Sequence, residues 1–455
     1  MKNPNIILIN CDDLGYGDLG CYGSEINKTP SIDYLADNGL RLTDFYMPSP
    51  LCSPSRGGML TGCYPPRISF GEFDGHVVLF PGQGIGLSDK EETIASMLKR
   101  AGYTTKIIGK WHCGDQPEFL PTRFGFDSYY GLPYSNDMGV QLGNKGNAFA
   151  LKETFPPLPL MDNEQVIQEQ PDMATLTERY TEQAVRFIRE NDNNPFFLYF
   201  AHMHVHRPIY VQDRFLQQSD NGLYGAAVET IDWSVQVLLH ELESLGLRDD
   251  TLIIFTSDNG SHEMDGGRNA PLRGKKATTF EGGQRVPCIM YWPRNIKPGR
   301  VSDEIVSAID FLPTFASIVG EKLQGNKIDG LDLSAFISGE VENSPRTTFV
   351  YYLRNELQAV RCGDYKLHIT REGKELYNLR DDISEKVNVY GDYPNIVQRL
   401  NKIANSYRAQ IGDSNFNIKG EEVRPCGRVV NPKMLTEYNE NHPYIIAMYD
   451  KEDCG

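Results

Sequence analysis

The sequence predicts an α/β fold: a large, mostly parallel β-sheet flanked by helices, followed by a smaller C-terminal subdomain with an antiparallel sheet. Three observations predict it. Four short apolar runs are typical of buried parallel strands, helical patterns lie between them, and short strands separated by turn residues follow near the C-terminus. A chain of 455 residues is long enough for a large domain, expected over 1–345, and a subdomain over 346–455.

The four apolar runs are rich in β-branched or aromatic residues, as buried strands are. They are NIILIN (5–10), TTKIIG (104–109), PFFLYFA (195–201) and TLIIFTS (251–257). Because helical segments separate these runs, each connection is a crossover, and crossovers join parallel strands.

Helix signals lie between the strands. TPSIDYLADNG (29–39) has a Thr cap followed by Pro at the first helical position. SDKEETIASMLKRAG (88–102) predicts a helix that begins with a capping box of Ser88 and Glu91 and ends at Gly102. Two longer amphipathic segments predict helices over about 175–190 and 224–245.

Two regions depart from this alternation. The segment over about 140–173 is rich in Gly, Asn and Pro and predicts an insertion over one face, with a hairpin that turns at Asp162 and Asn163. After a Gly- and Asp-rich link (320–346), the runs FVYYL, QAVRCGDYKLHIT and KELYNL predict the antiparallel strands of the subdomain.

Composition excludes several classes of protein. A formal net charge of −16 and a pI near 5.1 argue against a nucleic-acid partner, which needs a broad basic face. The apolar runs are too short to span a membrane. No leader is visible before the first strand, so either the protein is cytoplasmic or a leader has been removed. The nine cysteines lack zinc-site spacing and are expected mostly as buried apolar residues.

Polar side chains follow each predicted strand at its carboxyl end, which is where ligands bind in open α/β sheets. They are Asp12 and Asp13; Lys110 and His112; His202, His204 and His206; and Asp258 and Asn259. The carboxyl ends of parallel strands meet at one edge of the sheet, so we expect these side chains to converge on one crevice.

The acidic and amide residues offer only oxygen ligands, which Ca²⁺ or Mg²⁺ prefers. Each of the two pairs, Asp12–Asp13 and Asp258–Asn259, is also ordinary turn chemistry when taken alone. Both pairs follow buried strands, however, and adjacent carboxylates repel one another unless a cation offsets their charge. We therefore expect a divalent metal site.

The histidines of HMHVH (202–206) alternate, so that on an extended chain they point to one face. This spacing fits a transition-metal site, or a packing role for His202 and His204 with only His206 catalytic. Lys110 and His112 are likewise two residues apart, as a pair directed at one anion is expected to be.

The segment over 270–287 places glycines beside Lys275, Lys276 and Arg285. Gly-rich backbone with cations suits close approach to an oxyanion. An ordinary solvated basic loop has the same composition.

The segment LCSPSRGGMLTG (51–62), together with the clusters described above, resembles a known enzyme family. It contains C-x-P-S-R-x-x-x-L-T-G and resembles the signature of the formylglycine-dependent sulfatases of the alkaline-phosphatase-like superfamily. Further segments similar to that family, in the same order, are CDDLGYGDLGCYG, GKWHCG, GLPYSNDMG, TSDNG and RGKKATTFEGGQRVP. The resemblance implies an alkaline-phosphatase-like fold and hydrolysis of sulfate monoesters.

The resemblance also implies a modified cysteine and a metal. In such enzymes a formylglycine-generating enzyme or an anaerobic sulfatase-maturating enzyme oxidises the signature cysteine to formylglycine. Its hydrated gem-diol is the nucleophile and forms a covalent sulfated intermediate. Cys52 is then the nucleophile precursor. It also contacts a Ca²⁺ or Mg²⁺ ion held by Asp12, Asp13, Asp258 and Asn259.

The other functional groups carry over in the same way. Arg56 is expected to stabilise the nucleophile, and Lys110, Lys276 and Ser135 to bind sulfate. His112 falls on the partner of the diol hydroxyl, and His206 on the proton donor to the leaving oxygen. Lys276 fits the spacing to the EGG segment, whereas Lys275 stands where the family more typically has glycine.

The resemblance favours a sulfated sugar as substrate: galactose or N-acetylgalactosamine in a glycosaminoglycan, mucin or other sulfated glycan. It also favours a periplasmic or otherwise exported location, and a subdomain (346–455) that completes the substrate cleft. The candidates for contacts with sugar hydroxyls, each of which also fits ordinary loop structure, are Asn136, Asp137, Arg207, Arg354 and Asn355. Two alternatives stay open: a phosphonate or phosphodiester hydrolase of the same superfamily, and an unmodified, non-catalytic glycan-binding homologue.

Overall fold

The structure is a computed structural model that describes residues 3–140, 155–370 and 373–438. Its centre is a ten-stranded sheet in the order β12-β2-β11-β10-β1-β9-β5-β6-β7-β8. The strands are β1 (Asn5–Cys11), β2 (Leu40–Leu42), β3 (Phe45–Tyr46), β4 (Ile85–Gly86), β5 (Thr104–Gly109), β6 (Ser128–Gly131), β7 (Pro159–Asp162), β8 (Gln165–Glu169), β9 (Phe196–Ala201), β10 (Thr251–Ser257), β11 (Cys288–Tyr291), β12 (Arg300–Ser302), β13 (Val306–Ser307), β14 (Thr348–Leu353), β15 (Glu356–Cys362), β16 (Tyr365–Ile369), β17 (Lys374–Asn378) and β18 (Gly427–Arg428).

Helices cover both faces of this sheet. The α-helices are α1 (Pro30–Asp37), α2 (Cys52–Thr61), α3 (Ile94–Arg100), α4 (Leu176–Glu190), α5 (Asp213–Leu216), α6 (Gly222–Ser244), α7 (Glu281–Gln284), α8 (Phe311–Val319), α9 (Ser334–Ser338) and α10 (Pro394–Ile411). Short 3₁₀ helices span Tyr16–Asp18, Gly20–Tyr22, Pro65–Ile68, Pro117–Phe119, Pro121–Phe124, Met173–Thr175, Arg248–Asp250, Ala308–Asp310 and Ser414–Phe416.

The central strands are apolar throughout because both of their faces are buried. In β1, Ile6 and Leu8 pack into the core beneath α2, α3 and α8, whereas Ile7 and Ile9 pack into the core beneath α1, α4 and α6. The neighbours β10, β1, β9, β5 and β6 run parallel to one another, and antiparallel strands flank them on both sides. The predicted large, mostly parallel sheet flanked by helices is confirmed.

The smaller antiparallel sheet is also confirmed. It has the order β14-β15-β16-β17, and α10 packs against it. Its core is shared with the first part of the chain, because Tyr46, Tyr64 and Ile309 pack against Phe349 and Leu400.

The element predictions hold except at one helix and at the insertion, whose described hairpin extends the edge of the central sheet beside β6 instead of lying over one face. The four central strands lie within one residue of their predicted bounds, and the predicted hairpin is β7–β8. The helix expected from Ser88 begins instead at Ile94, because the capping box is formed by Thr93 and Ser96. Of the predicted insertion, residues 141–154 lie outside the described residues.

Within the described part of the chain, no helix is both long and apolar enough to cross a membrane. The eight cysteines in that part are free thiols, and five of them are buried.

Candidate active site

The carboxyl ends of β1, β5, β9 and β10 bring their polar side chains together, as predicted. Cys52 joins them as the first residue of α2, where it is 2% exposed. Its Sγ lies 3.6 Å from Asp12 Oδ1. Burial raises the pKa of the Cys52 thiol to about 12, so the unmodified thiol is protonated at neutral pH.

Arg56 lies one turn further along α2 and is fully buried. Its Nε and Nη2 lie 2.9 Å and 2.8 Å from Asp258 Oδ2, and its Nη1 donates to the Lys110 carbonyl at 2.9 Å. The guanidinium thus links the end of β10 to the end of β5. An arginine in this position compensates a buried carboxylate beside the cysteine.

Lys110 extends from the end of β5 to the end of β1. Its Nζ lies 2.5 Å from Asp12 Oδ2 and 3.3 Å from Ser135 Oγ. Although burial opposes the ionisation of Asp12, the Lys110 ammonium holds the pKa of that carboxyl below its usual range. Ser135 and Lys110, both predicted to bind sulfate, therefore lie side by side.

Lys276 makes the corresponding contact with Asp13. Its Nζ lies 2.8 Å from Asp13 Oδ1, and the Asn259 side-chain amide donates to the same oxygen at 2.7 Å. The neighbouring Lys275 is exposed, so the structure brings Lys276 and not Lys275 into the site. Burial opposes the Lys276 charge, but Asp13 raises its pKa well above the ordinary value.

The residues present fit a cation. Ligand atoms of Asp12, Asp13, Cys52 and His206 lie within 4.8 Å of one another, and all four residues are buried. Asn259 Oδ1 is buried and has no hydrogen-bond partner among the described residues, which is consistent with a role as a metal ligand. Burial and the nearby Asp12 carboxylate raise the pKa of Asp258 to about 7, which marks an excess of buried negative charge.

His112 is held with one ring nitrogen available. Its Nε2 lies 3.0 Å from the Leu79 carbonyl, so Nε2 donates, while Nδ1 is buried without a hydrogen-bond partner. Burial and Lys110 lower the pKa of His112 well below its ordinary value, so the ring is neutral and Nδ1 is an acceptor.

Only one of the three alternating histidines reaches the acidic cluster. His206 Nε2 lies 3.8 Å from Asp13 Oδ2, and its Nδ1 donates to the Arg207 carbonyl at 2.6 Å. His202 Nε2 instead contacts Ser234 Oγ at 3.2 Å. His204 is buried, and its carbonyl accepts from the Asp12 backbone amide. The packing interpretation of His202 and His204 therefore fits the structure.

Comparisons with known proteins agree with this geometry. A family model described as Sulfatase matches residues 4–321. The chain belongs to the sulfatase family. A second model, described as N-sulphoglucosamine sulphohydrolase, C-terminal, matches residues 275–410. This sulfatase therefore hydrolyses sulfate esters and has the alkaline-phosphatase-like fold.

Three relatives show how far the similarity extends. Arylsulfatase A of Homo sapiens is 37% identical over 451 residues, which cover 88% of this chain and 87% of that protein. N-acetylgalactosamine-6-sulfatase of Rattus norvegicus is 39% identical over 383 residues, which cover 80% of this chain and 71% of that protein. The solved structure of Ps i-CgsB in complex with k-i-k-neocarrahexaose has a TM-score of 0.78 at 32% identity, covering 89% of this chain and 93% of that chain.

The candidate sugar-contacting residues divide into two groups in this sulfatase. Asn136 Nδ2 donates to the Pro208 carbonyl at 3.0 Å and lies 3.4 Å from the His206 carbonyl oxygen, and the Asp137 carboxylate partly opposes the lowering of the His206 pKa by burial. Arg207 pairs with Asp265. These residues surround His206.

Arg354 and Asn355 lie elsewhere, at the tip of the β14–β15 hairpin. Arg354 Nη1 lies 4.0 Å from Glu72 Oε2, and Asn355 lines a cavity of about 360 Å³ together with Glu72 and Asp413. The structure thus places this pair against the segment that follows α2.

Sequence reasoning missed several groups that shape the site. Tyr199 accepts from Asn10 Nδ2 at 3.1 Å and lies 3.5 Å from Arg56 Nη1. Ser55 Oγ donates to the Asp258 carbonyl at 2.5 Å. Tyr199 gives no signal because an aromatic residue is ordinary in a buried strand, whereas Ser55 belongs to the CSPSR motif and could have been assigned.

Proposed function

We propose that this sulfatase removes O-sulfate groups from carbohydrates, of the galactose or N-acetylgalactosamine type, and that its nucleophile is formylglycine made from Cys52. One observation carries the proposal: Cys52 begins a buried helix beside Asp12, in the sequence CSPSR, at the point where Lys110, Lys276 and Arg56 converge. The hydrated aldehyde would supply a nucleophilic oxygen together with a second hydroxyl on the same carbon for the release of sulfate.

The ordered burial of α2 supports a maturation partner that acts before folding. Every residue of α2 is buried, including Cys52, Pro54 and Arg56. An enzyme that reads this motif therefore needs the segment before it folds. A formylglycine-generating enzyme or an anaerobic sulfatase-maturating enzyme would reach it during synthesis of the chain. We further propose an exported or periplasmic location, because large sulfated glycans lie outside the cytoplasm.

The cations of the site suit an anionic ester. The groups that would bind sulfate oxygens are Lys110, Ser135 and Lys276. Arg56 would stabilise the nucleophile by fixing the carboxylates beside it, such as that of Asp258. Asp12, Asp13, Asp258 and Asn259 would hold Ca²⁺ or Mg²⁺, which when bound polarises sulfate and offsets the buried acidic charge. Each well-placed donor is expected to lower the barrier by about 3 kcal/mol.

The histidines divide the proton transfers between them. His112 presents a neutral acceptor nitrogen, Nδ1, for a hydroxyl on the Cys52 carbon. In His206, Nδ1 is occupied by the Arg207 carbonyl, so a proton passed to the leaving oxygen would sit on Nε2. Donation from Nε2 would require the cationic ring, which burial and the Lys276 charge oppose by lowering the pKa of His206 and which the Asp13 carboxylate favours.

The relatives support a sugar substrate. One is N-acetylgalactosamine-6-sulfatase, and the solved structure of Ps i-CgsB holds k-i-k-neocarrahexaose. Asn136, Asp137 and Arg207 surround His206, where the leaving sugar would lie. Arg354 and Asn355 are proposed as contacts further from the reacting sulfate.

Two measurements test this proposal. Peptide mass spectrometry of the segment around Cys52 should find the thiol converted to an aldehyde. A panel of defined sulfated galactose and N-acetylgalactosamine saccharides, with matched aryl sulfate, sterol sulfate, phosphodiester and phosphonate esters, should then give the highest kcat/KM for a saccharide. An intact thiol with saccharide binding but no turnover favours the glycan-binding alternative, and preference for phosphorus esters favours the phosphonate or phosphodiester hydrolase.

A further inference from the structure

Glu281, the first residue of α7, is a fully buried carboxylate held from two sheets. Its carboxylate accepts from Tyr46 Oη at 2.5 Å, on β3, and from Tyr351 Oη at 2.7 Å, on β14. Lys366 Nζ, on β16, donates to it at 2.9 Å. Although burial opposes ionisation, Lys366 holds the pKa of the Glu281 carboxyl below its usual range, so Glu281 is charged.

Glu281 belongs to a buried set of three acids and three cations, which we call the junction cluster. Its members are Asp44, Glu281, Arg285, Arg361, Lys366 and Glu385, all at most 5% exposed. Lys366 also lies 2.9 Å from Glu385, and Asp44 pairs with Arg285 at 2.6 Å and Arg361 at 2.5 Å. Because acids and cations match in number, removing one partner leaves an uncompensated buried charge.

The segment that follows the C-terminal sheet also holds the backbone of α7. Glu385 Oε2 accepts from the Glu281 amide at 2.8 Å, while its Oε1 contacts Lys366. Lys366 of β16 therefore contacts both carboxylates, those of Glu281 and Glu385, that fix the start of α7.

α7 in turn contacts the segments that carry the catalytic groups. The Gln284 carbonyl accepts from the Met47 amide at 2.8 Å, on the approach to Cys52. The Gly283 carbonyl accepts from the Gly260 amide at 3.0 Å, directly after Asn259. The Gly282 amide donates to the Arg273 carbonyl at 2.7 Å, which closes the loop that presents Lys276.

Glycines allow the backbone of α7 to pack closely against its neighbours. A Cβ on Gly283 would lie 1.9 Å from the Thr278 carbonyl oxygen, and a Cβ on Gly260 would lie 1.8 Å from the Gly282 carbonyl oxygen. Backbone therefore rests on backbone between α7, the Lys276 loop and the end of β10. A displacement of α7 is expected to move these segments, because hydrogen bonds and close backbone contacts join them directly.

We propose that Glu281, held by Lys366, is a positioning residue that sets the place of Lys276 in the active site and so makes catalysis depend on the C-terminal sheet. The inference rests on the sulfate-binding role proposed for Lys276. Glu281 does not itself touch the reacting groups. Its effect is on geometry, and a misplacement of about 1 Å can cost on the order of a hundredfold in rate.

A double-mutant cycle on the mature, metal-loaded enzyme tests this. We expect Glu281→Gln to lower kcat at least tenfold, with a smaller change in KM, in the parent enzyme. In a Lys276→Ala background the same substitution should lower kcat by a much smaller factor, because the group it chiefly positions is gone and only the contacts of α7 with the Met47 and Gly260 amides remain to be disturbed. Rates are measured with an activated aryl sulfate, corrected for the folded fraction, so that the slow variants stay measurable.

The matched control is Arg346→Met. Arg346 is 3% exposed and lies 2.7 Å from Asp310 through its Nε, so it forms another buried pair next to the C-terminal sheet. We expect this variant to lose stability while its folded fraction keeps parental kcat. Adding Lys366→Met to Glu281→Gln removes both charges and should restore stability more than kcat.

The outcomes separate the two levels of the proposal. A kcat loss from Glu281→Gln that is equal in the two backgrounds, or one reproduced by Arg346→Met, would overturn the positioning role. Full activity of Lys276→Ala alone would overturn the proposed role of Lys276 and, with it, this inference. Sulfatase activity itself would stand in both cases.

Discussion

At the scale of single residues, the CSPSR segment serves two purposes. In the unfolded chain it is the motif that the proposed maturation enzyme would read. In the folded protein Ser55 donates to the Asp258 carbonyl and Arg56 binds the Asp258 carboxylate, so two motif residues join α2 to β10. A substitution of Ser55 or Arg56 is therefore expected to affect both maturation and the geometry of the finished site, whereas a substitution of Cys52 leaves these two contacts in place.

Cys52→Ser should convert a catalytic enzyme into one that reacts once. A serine hydroxyl can accept a sulfuryl group, but it has no second hydroxyl on the same carbon with which to expel sulfate. We expect a burst of released alcohol equal to the amount of enzyme, followed by a stop, with one sulfo group on the Cys52 peptide by mass spectrometry. Repeated turnover near the parental rate would contradict the formylglycine mechanism.

Lys276→Ala should lower kcat/KM on the order of a hundredfold, because a largely buried cation 2.8 Å from Asp13 is lost from the proposed sulfate site. The adjacent Lys275 is exposed and supplies a matched control. Lys275→Ala removes the same charge from the chain and should leave kcat/KM within twofold of the parent. Steady-state kinetics on one sulfate ester compare the two, and equal losses would argue for a long-range charge effect instead.

At the scale of elements, the sequence predicts strands better than helix starts. NIILIN and TLIIFTS are buried on both faces, so their composition alone marks them as central strands, and the polar residues after them mark the site. The helix start predicted at Ser88 is wrong. SDKEE satisfies the capping pattern, but the chain turns there and Thr93 caps the helix. That choice depends on tertiary packing, since Thr93 Oγ1 also donates to the Phe124 carbonyl at 2.6 Å.

The active site also combines residues that the sequence predicts with features that it does not predict. The motif residues were predictable because each follows a strand or lies in CSPSR. The left-handed backbone of Asp13 (φ 61°) and His112 (φ 58°), which helps to aim both side chains, gives no sequence signal. The junction cluster was not predicted either, because its acids and cations come from distant segments and meet only after the C-terminal sheet has packed.

The corrected start of α3 has a measurable consequence. Thr93→Ala removes the side-chain oxygen that accepts from the Ser96 amide at 3.0 Å, and should lower the free energy of unfolding by about 1 kcal/mol. Ser88→Ala, at the position first predicted to cap the helix, should have a smaller effect. Urea unfolding of both variants provides the comparison, and a larger loss at Ser88 would restore the original assignment.

At the scale of the whole molecule, the active site gathers cations although the chain as a whole is acidic. The chain carries a formal charge of −16, yet Arg56, Lys110 and Lys276 converge on one crevice, where they face Asp12, Asp13 and Asp258. These cations are largely neutralised by the carboxylates that they contact. A bound divalent cation would take over that compensation and leave the lysines able to bind sulfate, so metal binding and substrate binding are expected to be linked.

Removal of divalent metal should therefore weaken the fold as well as the activity. A ligand that binds only the folded state stabilises it by about 2.7 kcal/mol at a concentration one hundred times its Kd, so the Tm should rise as Ca²⁺ or Mg²⁺ is added to the metal-free protein. Activity should return over the same concentration range. Asp13→Asn, which removes a buried carboxylate 2.8 Å from Lys276, should abolish the dependence of Tm on metal. Thermal unfolding and sulfate release, both measured after metal content has been verified, test this, and full activity in a metal-free sample would refute the oxygen-ligand site.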